Sequence, residues 1–421
     1  MKQYPWEEAQ FINDLKGLLK IRSVNGDCGP VSERAPLGQG IYDAIEYMLD
    51  LGRKFGFRTK NLDGYAGWIE MGEGERLVAV VAHLDTVSVD PEGWVADPFD
   101  GTVIDGKLYG RGVSDDKGPA MVALYAMKAI AASGVNLGKR VRLILGGSEE
   151  AGGWRCIERY KKTEELPDCA FTPDSEYPVT FAEKGLLHLD FHRDLDDSIP
   201  PLSLQCGQMY NIVPAFAEAE FAGKHYEAEG RAAHAMEPHK GENALLKLCA
   251  QLRAQGIEHP FLSLAGIATA EGLGIAFSDE PSGCTTINPA IAHVDEKHAS
   301  LCCDLRIPVT VPLEQVVGAA EKAAAQFGFE TRNTSYMPPL YVKKDSPLVQ
   351  TLQRVFQECT GTDLPPVSCG GGTYARAFEN AVAFGALFPE DPVTYHQTNE
   401  FWKLDSIGKT FQIITNAIEL I

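Results

Sequence analysis

Hydrophobic positions along this chain fall into two kinds of pattern. Near the start, Phe11, Leu15, Leu18 and Leu19 recur at near-helical spacing, and a second amphipathic stretch covers residues 41–56. Residues 76–82 read Arg-Leu-Val-Ala-Val-Val-Ala. Such a nearly unbroken apolar run suits a strand buried on both faces of a sheet. The Ala-rich stretch 121–132 predicts a helix and residues 141–145 a further strand. Strands alternating with helices predict a three-layer α/β domain.

The middle of the chain follows another pattern. Residues 186–193 (Leu-Leu-His-Leu-Asp-Phe-His-Arg) alternate as a half-exposed strand does. Residues 215–221, 291–294 and 299–306 predict weaker strands of the same kind, and 243–255 a helix among them. This is an α+β arrangement, expected to be an inserted lid. After the Met337-Pro338-Pro339 turn, a helix over 346–359 and a strand over 381–387 return to the first style. The expected organisation is a catalytic domain in two parts, residues 1–184 and 339–421, with a lid at 185–338. A chain of 421 residues is too long for one ordinary core, which also favours two domains.

Composition narrows the function classes. With 44% hydrophobic and 23% charged residues the chain is an ordinary globular protein. Its net charge of −20 repels phosphate backbones, so no nucleic-acid partner is expected, and the acidity is read as serving solubility. The N-terminus, MKQYPWEEAQ, has no apolar run of a signal peptide, and no stretch reaches the length of a membrane span. Ten cysteines are scattered without a CxxC pair, and adjacent Cys302 and Cys303 suit neither a disulfide ladder nor a zinc knuckle. Reduced, buried thiols in the cytoplasm are the expectation.

The chemistry gathers where strands end. His83-Leu84-Asp85 follows directly on the apolar run, and residues two apart on a strand share a face, so His83 and Asp85 can reach one site. Taken alone, a hydrogen-bonded loop histidine is the plainer reading. Residues 110–118 (Gly-Arg-Gly-Val-Ser-Asp-Asp-Lys-Gly) form a glycine-bounded loop with adjacent Asp115 and Asp116, a hard-oxygen pair of which Asp116 also suits a helix cap. Glu149 and Glu150 follow the 141–145 strand and suit a general base beside a metal ligand. Like charges packed together are costly unless a cation neutralises them. Asp174 stands in a Thr-Pro-Asp-Ser-Glu turn, where a turn role competes, and His396 opens His-Gln-Thr-Asn-Glu. Mixed histidine and carboxylate ligands without thiolate fit two divalent ions, Zn²⁺ first and Mn²⁺ or Co²⁺ as alternatives. Two such ions about 3.5–4 Å apart hold a bridging hydroxide at neutral pH.

At these residues the chain resembles the PepV-type dinuclear metal dipeptidases, in the superfamily of carboxypeptidase G, aminoacylase, ArgE and DapE. The resemblance rests on VVAHLDTV, GRGVSDDKGP, GSEEAGGWRC, FTPDSEYPV with the following EKG, NIVP, AAHAMEPHKGENA, DLRIP, GGGTYAR and HQTNEF, which span nearly the whole chain in order. It implies an α/β zinc-peptidase catalytic domain with an inserted lid. It implies one metal on His83 and Asp174, a second on Glu150 and His396, and Asp115 bridging. Glu149 is then the general base, and Asp85 orients His83 from behind. The peptide bond at the paired aspartates is implied to be cis. The family places an aspartate before the two glutamates; this chain has Ser148, which removes a charge beside the metals.

The resemblance also implies lid roles. His234 would stabilise the oxyanion, a surface histidine being the plainer reading of its residues alone. Asn211 and Arg306 would hold the substrate backbone and carboxylate. An ion pair of Arg306 with Asp304 and a turn role for Asn211 compete with this. The Gly370-Gly371-Gly372-Thr373 loop lets Gly371 and Thr373 approach a ligand closely; a phosphate loop is disfavoured, since the lysine and helix of that motif are missing. From the lid's length a monomer is expected, with a homodimer as the alternative. The leading function is hydrolysis of a small peptide substrate, a dipeptide. An N-acyl amino acid deacylase or desuccinylase on the same metal core is the second, and a non-catalytic peptide or metal binder the third.

Overall fold

Four parallel strands carry the larger sheet. Leu77–His83, buried at all seven positions, lies between Arg140–Gly146 and Cys169–Thr172 and runs parallel to both. Ala381–Phe384 continues in parallel beyond Cys169–Thr172. Ala66–Gly72 and then Arg58–Leu62 extend the sheet antiparallel on the other side of Arg140–Gly146. The apolar runs read as doubly covered strands are the strands of this parallel centre, where both faces meet helices. The computed structural model describes residues 1–90, 92–150 and 152–421.

The chain forms two compact units. The first comprises residues 1–181, 342–367 and 373–421, and the second residues 182–341 and 368–372. In the first, the helix Gln39–Lys54 packs on Ala66–Gly72, and Lys117–Ser133 on Leu77–His83 and on the helix Leu404–Leu420. That last helix has no counterpart among the elements expected from the sequence. The helix expected at 346–359 is Pro347–Thr360, capped by Ser346, whose hydroxyl accepts the Val349 N–H at 3.3 Å. The single strand expected at 381–387 is two. Gly385, with φ of +79°, turns the chain, so that Ala381–Phe384 stays in the large sheet while Ala386–Leu387 pairs with Ser175–Glu176. A Cβ on Gly385 would lie 2.3 Å from the Tyr177 ring, so only glycine fits there.

The second unit is a seven-stranded antiparallel sheet with helices Ala244–Ala254, Pro260–Ala265 and Leu313–Ala325 sharing its apolar core. Gly185–Asp194 shows how the alternating stretch folds: Leu187, Leu189 and Phe191 face that core while Leu186, His188 and His192 stay half-exposed. This α+β unit and the three-layer α/β unit are the two fold styles read from the hydrophobic pattern. Among the described residues no helix is long and apolar enough to cross a membrane.

Candidate metal centre

The parallel strands all end on one rim, the place where α/β sheets build their sites. His83 is the last residue of its strand and pairs with Gly146. Glu149 and Glu150 follow the strand that Gly146 ends, and Asp174 follows Cys169–Thr172. Asp115 comes from the loop that opens the helix Lys117–Ser133, across a cis Asp115–Asp116 peptide bond.

Asp115 is the centre of the group. Its Oδ1 lies 2.9 Å from His83 Nε2 and its Oδ2 3.0 Å from His396 Nε2. His396 Nε2 is also 3.0 Å from Glu150 Oε1, and His83 Nε2 is 3.6 Å from Asp174 Oδ2. Donor atoms of His83, Glu149 and Asp174 lie within 4.8 Å of one another, as do those of His83, Asp115 and Glu150. All five residues expected as ligands, and Glu149, are therefore gathered in one place.

Burial sets the electrostatics. It pushes the Glu149 carboxyl well above the usual range, with Asp174 and Glu150 adding to the effect and His83 opposing it. Burial and Asp115 push Asp174 up to about 7. Burial works against the charge on His83 and His396, yet the carboxylates overcome it: His83 is raised well above its ordinary value and His396 to about 11. Desolvation also acts against the charge of half-buried Asp115, but its two histidines hold it below its ordinary value. Four half-buried carboxylates in one cluster demand compensating positive charge, from protons or from metal cations. His83 Nδ1 lies 2.9 Å from the Asp85 carbonyl, which can only accept, so Nδ1 carries a proton, and Nε2, which faces Asp115 and Asp174, is the nitrogen that would give up its proton to offer a lone pair to a cation. That donor set fits two divalent ions.

Several neighbours differ from their sequence reading. The Asp85 carboxylate lies 3.5 Å from His83 Nδ1, and its closer partners are the Glu149 and Glu150 N–H groups at 3.1 and 3.0 Å. It is the Asp85 carbonyl that holds the imidazole. Asp116 stands at the start of its helix but makes no cap bond; its Oδ2 accepts the His83 N–H at 3.0 Å. Ser148, where the resemblance has aspartate, hydrogen-bonds to Cys156. Its hydroxyl lies 3.2 Å from Cys156 Sγ, and the Cys156 sulfur 2.8 Å from the Tyr374 hydroxyl. An aspartate would bring a charge into that buried thiol and phenol cluster. Tyr374 also crosses His83 edge to face, and it fills the space that Gly146 leaves, where a Cβ would lie 2.5 Å from its ring.

Two further residues near the candidate ligands, Arg111 and Glu400, have no role in the sequence reading. Both are buried and bonded to each other at 2.7 Å. The available signal was opposite charge inside the two motifs that carry Asp115 and His396.

In the second unit, His234 and Asn211 lie on neighbouring exposed segments, tied by the Ala235 N–H donating to the Asn211 carbonyl at 2.9 Å. The Met236 N–H donates to His234 Nδ1 at 3.1 Å. Arg306 is buried and donates to Asp304 through Nε and Nη2 at 2.6 and 2.8 Å. Its Nη1 donates to the Gly370 carbonyl at 2.6 Å, which anchors the glycine loop containing Gly371. Thr373, in the first unit, caps the short turn Tyr374–Ala377 by accepting the Ala375 N–H at 3.2 Å.

Comparison with known proteins agrees with this architecture. The YtjP protein of Bacillus subtilis (strain 168), provisionally named a dipeptidase, is 35% identical over 98% of this chain and 97% of its own length. The di-peptidase Dug1p from Saccharomyces cerevisiae has a similar structure, with a TM-score of 0.64 at 14% identity over 98% of this chain and 95% of that one. The Bacillus subtilis YxeP protein, a dinuclear metal-binding peptidase of the M20 family, gives a TM-score of 0.54 at 11% identity over 98% and 97% of the two chains. At those identities the two structures speak for the fold alone. Residues 79–420 match the family described as Peptidase family M20/M25/M40, and to that family this chain belongs.

Proposed function

We propose that this chain is a metal-dependent dipeptidase, hydrolysing the peptide bond of small free dipeptides. The observation that carries the reading is Asp115 facing His83 and His396 through its two carboxylate oxygens, with Glu149 beside them. His83 and Asp174 would hold one cation and Glu150 and His396 the other, with Asp115 shared. When bound, two divalent cations supply Lewis-acid polarisation of a carbonyl and activation of water at neutral pH. Zinc suits the nitrogen and oxygen donors best, with manganese or cobalt as alternatives.

The chain's own residues supply the rest. Glu149, whose carboxyl burial inclines to hold a proton, takes one from the attacking water and returns it to the leaving amine. Cations held by the neighbouring residues would oppose that inclination, so that Glu149 would be ionised before attack and ready to accept a proton. Asp85 holds the backbone of Glu149 and the ring of His83 in place. His234 would hydrogen-bond the carbonyl oxygen as charge develops there. Asn211 and Arg306, with Gly371 and Thr373 of the glycine loop, would orient the substrate's backbone and carboxylate. The working form is read as a cytoplasmic monomer.

The test is a panel of free and N-acylated dipeptides assayed on metal-stripped protein reloaded with zinc, manganese or cobalt. Free dipeptides should be cleaved and EDTA should abolish turnover. Faster cleavage of acylated substrates would move the reading to a deacylase, and metal binding without any turnover to a peptide or metal binder.

A further inference from the structure

Three of the ligand-bearing segments are joined by a single buried ion pair. Glu400 lies four residues after His396, and its carboxylate receives four hydrogen bonds, all from the loop that ends at Asp115. Oε2 accepts from Arg111 Nη1 at 2.7 Å and from the Gly112 N–H at 3.1 Å. Oε1 accepts from both the N–H and the hydroxyl of Ser114, each at 2.9 Å. The Glu400 carbonyl accepts a fifth bond, from the Gly110 N–H at 3.0 Å. Arg111 answers in the other direction. Its Nη2 reaches the Gln397 carbonyl at 3.3 Å, beside His396, and the Ser88 carbonyl at 3.4 Å, on the segment that leaves His83 and Asp85. The two side chains are 4% and 1% exposed.

The turn between His396 and Glu400 needs such a hold. His396 and Asn399 are in the left-handed region, with φ of +60° and +67°, a conformation that costs a residue with a side chain more than it costs glycine, although Asn and His adopt it more readily than most. Asn399 is itself pinned, accepting the Val95 N–H at 2.7 Å and donating to the Gly93 carbonyl at 3.0 Å. Glu400 completes the far end. A buried ion pair as such is weak evidence of added stability. Here, however, the donors sit on the residues immediately before Asp115, so the carboxylate sets where Asp115 stands relative to His396.

We propose that Glu400, working through Arg111 and Ser114, is a positioning residue that locks the segments of Asp115 and His396 together so that the two can share a cation. It rests on the metal-centre reading above and adds to it a residue that touches neither metal nor substrate. The carboxylate is satisfied by donors from one loop only, so its loss frees that loop and the His396 turn at once.

The test is cobalt binding to metal-stripped, full-length protein, followed by calorimetry and by the visible spectrum of the bound cobalt, for the parent, Glu400→Gln and Ser114→Ala. Outer hydrogen-bond partners of metal ligands typically govern affinity by about 10–100-fold. Glu400→Gln should therefore bind cobalt about 10–100-fold more weakly, with an altered spectrum, and its kcat should fall and recover with excess cobalt while KM changes little. A merely structural role would lower the melting temperature and leave the affinity and spectrum of the folded protein unchanged, and that result overturns the proposal. Should Glu400→Gln fail to fold, Ser114→Ala, which removes one donor and keeps the carboxylate, decides: a smaller loss of affinity with a shifted spectrum supports the proposal, and parent-like binding overturns it. Cobalt binding is read without substrate. A parent that binds cobalt through a Glu400-dependent site but cleaves nothing overturns only the dipeptidase reading; one that cleaves dipeptides with binding indifferent to Glu400 overturns only this one.

Discussion

The carboxylate of Asp85 accepts the main-chain N–H of Glu149 at 3.1 Å. Its other oxygen takes the N–H of Glu150, and its carbonyl takes His83 Nδ1. One buried residue thus holds in place Glu149, the proposed base, together with Glu150 and His83, proposed ligands of the two cations. Asp85→Asn turns an amide N–H₂ toward one of two N–H donors and loses that bond. Metal affinity should fall by about 10–100-fold, with kcat falling alongside it. Calorimetric titration and steady-state kinetics read both, and parent-like affinity in the folded variant would contradict the role.

Glu149 is the residue whose removal should separate binding from chemistry. Glu149→Gln should lower kcat by about 10²–10⁴-fold, the usual contribution of a positioned acid–base group. Elemental analysis should find the metal content unchanged, because the expected ligands are other residues. Near-native turnover by Glu149→Ala would exclude this mechanism.

The cluster also predicts how pH acts on metal-stripped protein. His396 holds its proton up to about 11 when folded, against an ordinary 6.5 when unfolded. The folded state therefore binds more protons between those values. The stabilisation is complete below the lower value and is lost as pH rises toward the upper one. Stripped protein should melt at progressively lower temperature as pH rises through that window, and saturating zinc should remove the slope. Metal binding must displace the same protons, and Asp174, pushed up to about 7, adds another competitor below neutrality. Apparent zinc affinity should accordingly weaken as pH falls below about 11, and more steeply below about 7, with proton release measurable by calorimetry in buffers of different ionisation enthalpy. Affinity indifferent to pH would show that these groups are not the ligands.

In the second unit the buried Asp304–Arg306 pair sets a different expectation. Asp304→Asn leaves the guanidinium buried without its counter-charge, a change that typically costs about 3–5 kcal/mol. Thermal and denaturant unfolding should both register it. An unchanged melting temperature would mean that Arg306 finds another partner.

Much of the catalytic frame was legible because its signals are local. The apolar run ending at His83 names a buried strand, and the glycine-flanked acids after neighbouring strands name a rim where charge collects. The alternation of Leu187, Leu189 and Phe191 likewise announced a second, half-exposed sheet. The helix Leu404–Leu420 has no counterpart in the sequence reading, and the turn at Gly385 reads as continuous strand, since the ring that demands glycine there, Tyr177, is far off in sequence.

Residue types and their short-range spacing were enough to determine the two fold styles and to single out the acids and histidines that the structure gathers at one rim, because periodicity and strand-end chemistry act over a few residues. Which atom meets which was decided only by the tertiary structure. Asp116 abandons the helix cap for the His83 N–H, and Ser148 turns to Cys156. Asp85 uses its carbonyl on the imidazole, and Glu400 closes on a loop 286 positions away in the chain. The reason is physical: a buried polar group takes whichever partner packing brings within reach.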